Sequence, residues 1–425
     1  MKELQYDGVV IGAGAAGMAA ALELNKHGFN TALIDREDHL GGILMQCIHN
    51  GFGLHEFKEE LTGPEFAGRF IGQIASSGVT VHLDTTVTSL RAGGNGFKEL
   101  FCVSPQGVMH IQARTVILAM GCRERNRGNV RIPGSRPAGV YTAGLAQRLV
   151  NIDGYIPGKE VVIIGSGDIG LIMARRMSWV GCKVKAVVEI MPYPSGLTRN
   201  IVQCLNDFDI PLYLSSQTTS IIGNDRVEGV EVTPMENGIP VPEKKFRIDC
   251  DTVLLSVGLV PENELSREAG VELHTVTGGP QVDSSLMTSV EGVFACGNVL
   301  HVHDLVDWVA EEARRAGAQA ALWLKGVRPG AGIRLKAGSN VRYVNPGKIN
   351  PQGENKIYLR SMIVKNDAVL ELKLVNPQAG SSGQIFKLIR HNHVQPSEMI
   401  NVVISPRDME KARFSTESVM EFSIS

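Results

Sequence analysis

Val9-Val10-Ile11-Gly12-Ala13-Gly14-Ala15-Ala16-Gly17 decides how the chain is read. An apolar, β-favouring run enters Gly-x-Gly-x-x-Gly, and an alanine- and leucine-rich segment follows to about His27. Gly28 is then placed as a helix C-terminal cap. The order is strand, tight turn, helix, and Thr31-Ala32-Leu33-Ile34 adds a second β run closed by Asp35. Each glycine then has a task. Gly12 permits the tight turn, Gly14 lets the backbone approach a pyrophosphate, and Gly17 lets the helix pack close to the strand. The helix start offers free N–H groups and a positive dipole end to the phosphates. Asp35 stands a little over 20 residues beyond Gly12, the reach needed to meet a ribose hydroxyl.

The pattern returns about 150 residues later. Val161-Val162-Ile163-Ile164 enters Gly165-Ser166-Gly167-Asp168-Ile169-Gly170, and Glu189 closes Val184-Lys185-Ala186-Val187-Val188. Asp168 lies near the helix start, where an acid suits the macrodipole. A carboxylate at position 189 accepts bonds from a 2′-hydroxyl and repels a 2′-phosphate. Ile190 and Met191 follow it, with no arginine, so NAD is favoured over NADP. Two such units imply two dinucleotides, and two dinucleotides imply electrons passing between them.

Each unit carries an inserted meander. Short alternating runs fill residues 79 to 118, with turns at Gly93-Gly94-Asn95-Gly96 and Pro105-Gln106-Gly107. They end in the apolar run Thr115 to Gly121. The second unit repeats this, from Val227-Glu228-Gly229-Val230 to the run Thr252 to Gly258. Arg123 to Pro137, with five arginines and two prolines, reads as a solvated linker that could steer an acidic partner. A helix is expected from about Asp304 to Leu324. Beyond residue 328, alternating runs between proline and glycine turns predict a small β-rich domain. The fold class is therefore α/β: two Rossmann-like dinucleotide-binding domains with β-meander insertions, and a β-rich C-terminal domain. The expected boundaries are 1–122 with 252–328, 123–251, and 329–425.

Bulk properties narrow the function. Across 425 residues the apolar fraction is 43% and the net charge −2, which gives no reason to invoke nucleic acid. No apolar run reaches the roughly 18 to 20 residues of a membrane span. The first strand begins within a few residues of Met1, leaving no room for a targeting peptide, and a reducing, cytoplasmic setting is expected. None of the seven cysteines forms a C-x-x-C pair, so no zinc or iron–sulfur site is indicated.

These motifs, with Val293-Phe294-Ala295-Cys296-Gly297-Asn298, resemble the two-dinucleotide-binding flavoproteins, the pyridine nucleotide–disulfide oxidoreductase superfamily. The resemblance covers residues 1 to about 328. It implies FAD on Gly12, Gly14, Ala15, Ala16, Gly17, Asp35, Arg36, Gly41, Gly42, Ala119, Gly121, Gly297 and Asn298. It implies NAD on Gly165, Gly167, Asp168, Ile169, Gly170, Glu189 and Gly258. Asn298 stands where the superfamily usually has aspartate. The superfamily's redox-active disulfide is missing, because Cys47 has no second cysteine nearby. Cys47 is read as an inert buried thiol, with a sulfenic acid cycle as the alternative.

A narrower resemblance lies in Gly41 to Arg69, Gly121 to Gln147 and Ala295 to Glu312. These stretches look like the FAD- and NAD-binding subunits of multicomponent opine, proline and glycerol-3-phosphate-type dehydrogenases. It implies hydride transfer between nicotinamide and flavin, and a second flavoprotein subunit that carries the small-molecule substrate. His301, His303, Asp304 and Asp307 include metal-ligand types, but no further ligand of fitting spacing is evident and no metal is expected. Asp304 is expected to cap the helix and one histidine to hydrogen-bond the flavin; hydride transfer requires no acid–base side chain, so no catalytic residue is assigned, Cys47 and His303 being the candidates. Two rival readings remain: a self-sufficient NADH oxidase or peroxidase using Cys47, and a non-catalytic nucleotide-binding module.

Overall fold

The computed structural model describes residues 1–93, 96–328, 330, 332–375, 383–410, 414–415 and 417–425. Residues 94 and 95 of the expected glycine turn, and Pro329 at the expected domain start, lie outside the described residues. The chain divides into two units. One holds Met1–Met45, Asn50–Cys122 and Pro261–Ser425; the other holds Gln46–His49 and Arg123–Val260.

In the first unit, strand Lys2–Ile11 lies between Thr31–Ile34 and Gly107–Leu118, parallel to both. Thr80–His82 and Val293–Ala295 add further parallel pairings. Lys98–Ser104 and Thr86–Ala92 extend the sheet antiparallel, as the expected meander. Val9, Val10, Leu33, Ile34, Ile117 and Leu118 are fully or almost fully buried. Unbroken apolar runs of this kind belong to parallel strands covered on both faces. Helix Ala15–Lys26 buries five of its alanines and Leu24. It packs against helix Val306–Leu324, where a Cβ on Gly317 would come 2.5 Å from the Ala20 carbonyl oxygen. Small residues on both helices thus allow near backbone-to-backbone contact.

The C-terminal strands of this unit form two sheets. One orders Lys348–Ile349, Ile333–Ala337, Val419–Ile424, Lys365–Val375 and Gln384–Val394; the other orders Val341–Asn345, Asn355–Ser361 and Met399–Ile404. Both contribute to one core that includes Ile357, Leu359, Leu370, Leu372 and Phe422. Glu311 on the long helix accepts from the Tyr358 hydroxyl at 2.9 Å and from Lys356, tying this sandwich to the nucleotide-fold part of the unit.

In the second unit, a five-stranded parallel sheet orders Val140–Thr142, Thr252–Leu255, Glu160–Ile164, Lys183–Val188 and Leu212–Tyr213. An antiparallel layer of Ser216–Gly223, Val227–Glu236 and Phe246–Asp249 is its meander. Among the described residues no helix is long and apolar enough to cross a membrane.

Three expectations need correction. The boundary expected at 251/252 lies after Val260, because Thr252–Leu255 pairs with Glu160–Ile164. The internal repeat explains it: each meander returns its last strand beside its own fingerprint strand, as Gly107–Leu118 does beside Lys2–Ile11. The stretch 123–137 is more than a solvated linker. Arg127 is buried and donates to the carbonyl oxygens of Ile132, Pro133 and Ser135, so one guanidinium organises the loop. The long helix begins at Val306 with Leu305 as its N-cap. Asp304 instead accepts the Met399 N–H at 2.9 Å.

Candidate cofactor-binding turns

Gly12 has φ +102, and a Cβ there would lie 2.4 Å from the Ala119 carbonyl oxygen. The turn is therefore pressed against the end of the neighbouring strand. Gly17 sits under it: a Cβ would come 1.6 Å from the Gly12 carbonyl oxygen. Gly14 is different: among the described residues nothing lies within 4 Å of a Cβ position. Gly14 is the N-cap of helix Ala15–Lys26, and among the described residues no side chain caps that end. The first-turn N–H groups thus face the space beside Gly14, where an anion would complete them.

Asp35 closes the turn from below. Its carboxylate accepts the Ala13 N–H through one oxygen and the Glu37 N–H, at 2.9 Å, through the other. Gly41 and Gly42 fold back over the turn. Gly41 donates to the Ala13 carbonyl at 2.9 Å, and a Cβ on Gly42 would sit 3.1 Å from Gly14 Cα. Gly297 has φ +73 and approaches the helix start, 2.8 Å from Ala16 Cβ measured from a Cβ position. The structure thus gathers Gly12 to Gly17, Asp35, Gly41, Gly42, Ala119 and Gly297 into one cradle. Gly121 has φ +71 with open space around it. Arg36 is exposed. The Asn298 carboxamide is used locally, accepting the His303 N–H at 3.0 Å.

The second turn is built alike. A Cβ on Gly165 would lie 2.1 Å from the Ser256 carbonyl oxygen, and one on Gly170 would lie 2.7 Å from Ser256 Cβ. Gly167 is the N-cap of helix Asp168–Trp179, again without a side-chain cap. Ser256 Oγ accepts the Gly170 N–H at 3.0 Å. Asp168 accepts from Leu197 N–H at 2.8 Å and Asn200 Nδ2 at 2.6 Å, holding the loop after Glu189. Ile169 lies in the first helical turn beside it. Gly258, with φ +99, ends the strand run and accepts the Arg125 N–H at 2.9 Å.

Glu189 is buried at 4% exposure, and its partners change what it can offer a ribose. Oε2 accepts the Ser166 N–H at 2.9 Å, the Ser166 hydroxyl at 2.5 Å and the Ser195 hydroxyl at 3.0 Å. Oε1 accepts the Met191 N–H at 2.9 Å and keeps acceptor capacity. The two serines were missed by sequence reasoning. A serine at the second place of the fingerprint was the available signal, since its short hydroxyl can reach the acid that closes the next strand.

Cys47 lies in the segment Gln46–His49, which Gln46 anchors through Gly144 O at 2.9 Å and Gln147 Oε1 at 3.0 Å. The Cys47 thiol donates to Gln147 Oε1 at 3.7 Å. Burial pushes its pKa up to about 12, so it is a thiol at neutral pH. A thiol lacks the nucleophilic thiolate that a sulfenic cycle starts from. No disulfide joins any of the seven cysteines.

The expected histidine–aspartate cluster is sorted differently. Asp307, buried in the first turn of the long helix, accepts the N–H groups of Gly53, His55 and Glu56 at 3.2, 2.9 and 2.8 Å. His301 and His303 turn instead to Glu312, a residue that sequence spacing did not single out. Their ring atoms face this carboxylate inside the protein.

Comparisons with known proteins identify the family. The sequence profile described as "pyridine nucleotide-disulphide oxidoreductase" matches residues 6–342. The chain is 29% identical over 355 residues to the glutamate synthase [NADPH] small chain of Mycobacterium tuberculosis, covering 75% of this chain and 66% of that one. It is 26% identical over 343 residues to an opine oxidase subunit of Agrobacterium tumefaciens, covering 75% and 65%. The chain thus spans slightly less than two thirds of these relatives' length. The thioredoxin reductase of T. acidophilum superposes with a TM-score of 0.61 at 26% identity, over 76% of this chain and 98% of that one. The chain belongs to the pyridine nucleotide-disulphide oxidoreductase family, whose members are flavoproteins that use FAD and NAD(P)H.

Proposed function

We propose that this chain is an FAD-dependent NAD(H) oxidoreductase subunit that works in the cytoplasm and exchanges electrons with a partner dehydrogenase subunit. The observation that carries the reading is the pair of uncapped glycine turns, one in each unit, each backed by a carboxylate. FAD is assigned to the first cradle, Gly12 to Gly17 with Asp35, Arg36, Gly41, Gly42, Ala119, Gly121, Gly297 and Asn298. NAD is assigned to Gly165, Gly167, Asp168, Ile169, Gly170, Glu189 and Gly258. The FAD part is residues 1–122 with the return from Pro261, the NAD part is 123–260, and the β sandwich follows.

Bound flavin and nicotinamide supply hydride transfer between flavin N5 and nicotinamide C4. The chain's residues supply placement. Backbone N–H groups of both helix starts hold phosphates, and Asp35 and Glu189 fix the loops those phosphates rest on. The negative charge of Glu189, with no arginine directly after it, supports NAD over NADP.

The partner reading rests on names. One relative is the "small chain" of a glutamate synthase and another is one subunit of an opine oxidase. The C-terminal sandwich is the proposed docking surface. Its strand Gln384–Val394 is the last of its sheet among the described residues, and leaves Ile385 and Leu388 more than half exposed. Purification from the native source tests this. A second flavoprotein chain is expected to co-elute in fixed ratio. A chain that elutes alone and turns over NADH with oxygen or peroxide would support the self-sufficient reading. Cys47→Ser then separates the two chemistries: unchanged NADH consumption is expected, and a collapse of peroxide turnover would give the thiol a catalytic role.

A further inference from the structure

His301, His303 and Glu312 converge inside the first unit. His301 Nε2 lies 3.0 Å from Glu312 Oε2, and His303 Nε2 lies 3.2 Å from Glu312 Oε1. The three ligand atoms all fall within 4.8 Å of one another. The two histidine side chains are 1% exposed and that of Glu312 is 0% exposed.

A buried carboxylate needs a compensating charge or full hydrogen bonding. Among the described residues, Glu312 is held by the two imidazoles and the Gly297 N–H. The Gly297 N–H, 2.7 Å from Oε1, supplies a dipole and no charge. Arg360 carries the charge that would serve, but its N–H groups go to the carbonyl oxygens of Val302, Pro396 and Ser397.

We propose that His301 Nε2, His303 Nε2 and the Glu312 carboxylate bind one divalent transition-metal ion. Two imidazoles and a carboxylate form a borderline donor set, suited to zinc or ferrous iron and unsuited to calcium or magnesium. An ion about 2.1 Å from its donors sets neighbouring donors roughly 3 to 3.5 Å apart, close to the two histidine–carboxylate distances. Tyr343 Oη lies 3.4 Å from His301 Nδ1, the far-side partner that orients a ligating ring. Among the described residues His303 Nδ1 has no hydrogen-bond partner, and Nε2 faces the carboxylate. The ion joins three pieces: the Gly297 turn through Glu312, the long helix, and the C-terminal sandwich through Tyr343. Its role is structural, and it needs no new reaction.

Metal analysis of the full-length protein, expressed with supplemented zinc or iron, tests the proposal. About one ion per chain is expected, retained in Asp304→Asn and lost in Glu312→Gln. Chelation should lower the melting temperature, and zinc or anaerobic ferrous iron should restore it. Cobalt(II) in the stripped protein should give the visible d–d bands of a nitrogen- and oxygen-ligated site. Glu312→Gln separates the ion from a plain hydrogen-bonded triad, since glutamine can still accept the Gly297 N–H while removing the buried charge. With an ion, Glu312→Gln loses the rise in melting temperature that zinc or ferrous iron gives the wild-type protein; without one, neither protein's melting temperature responds to metal. Absence of stoichiometric metal, together with no melting shift on adding zinc, ferrous iron or cobalt, overturns the proposal. The wild-type measurements decide it if the variant fails to fold.

Discussion

Gly17→Ala leaves no flavin-bound protein to purify. The added methyl would stand 1.6 Å from the Gly12 carbonyl oxygen and 2.8 Å from its carbon. Both are backbone atoms, so no rotamer change relieves the clash. Either the helix moves off the strand or the turn unwinds, at a cost above about 3 kcal/mol. That is a large share of the roughly 5 to 15 kcal/mol that holds a domain folded. Gly14→Ala is the contrast. Its methyl meets no protein atom within 4 Å, and its backbone, at φ −72, suits alanine. It should fold and melt near the parent, yet purify largely as apoprotein, because the methyl occupies the space proposed for the pyrophosphate. Flavin content and far-ultraviolet circular dichroism on both variants check this. A fully flavinated Gly17→Ala protein would refute the packing account, and a fully flavinated Gly14→Ala protein would move the FAD phosphates elsewhere.

Gly167→Ala should slow reduction by NADH about 100-fold at low NADH while FAD stays bound. A Cβ at 167 meets only Ser256, at 3.3 Å from Oγ and 3.7 Å from the carbonyl oxygen, and the backbone at φ −66 accepts it. The second unit should therefore fold. What is lost is close approach of the phosphates to the uncapped helix start. A loss of about 2.7 kcal/mol would lower kcat/KM for NADH about 100-fold. Gly170→Ala would instead press on Ser256 Cβ at 2.7 Å and destabilise the unit. Stopped-flow reduction with thermal melting of both variants tells these apart. Wild-type NADH kinetics in Gly167→Ala would remove this turn from the nucleotide site.

Both fingerprints were legible because strand, glycine turn, helix and closing acid are consecutive, and local physics fixes each. Asp35 and Glu189 were legible for the same reason. The partners of Glu189 were harder to see, since Ser195 joins it only once the loop beyond the strand curls back. Of His301, His303 and Glu312, the two histidines stood out and the acid did not, for a related reason. That acid lies on the helix, while the histidines lie in the segment before it, so no regular ligand spacing appears in the chain. Arg127 shows the same limit from the other side. Composition made it one of five exposed linker arginines, and the carbonyl oxygens around it drew it inside. The domain boundary at Val260 required strand pairing, which one strand's own sequence does not encode.

The central claim is electron exchange between a nicotinamide and a flavin carried by this one chain. Anaerobic titration of the purified holoprotein with NADH tests it most directly. The account predicts that the visible flavin band bleaches stoichiometrically with NADH, and that NADPH is far less effective. A flavin that remains oxidised under excess NADH, in protein whose second turn demonstrably binds the nucleotide, would contradict it and leave that turn a sensor or a structural brace.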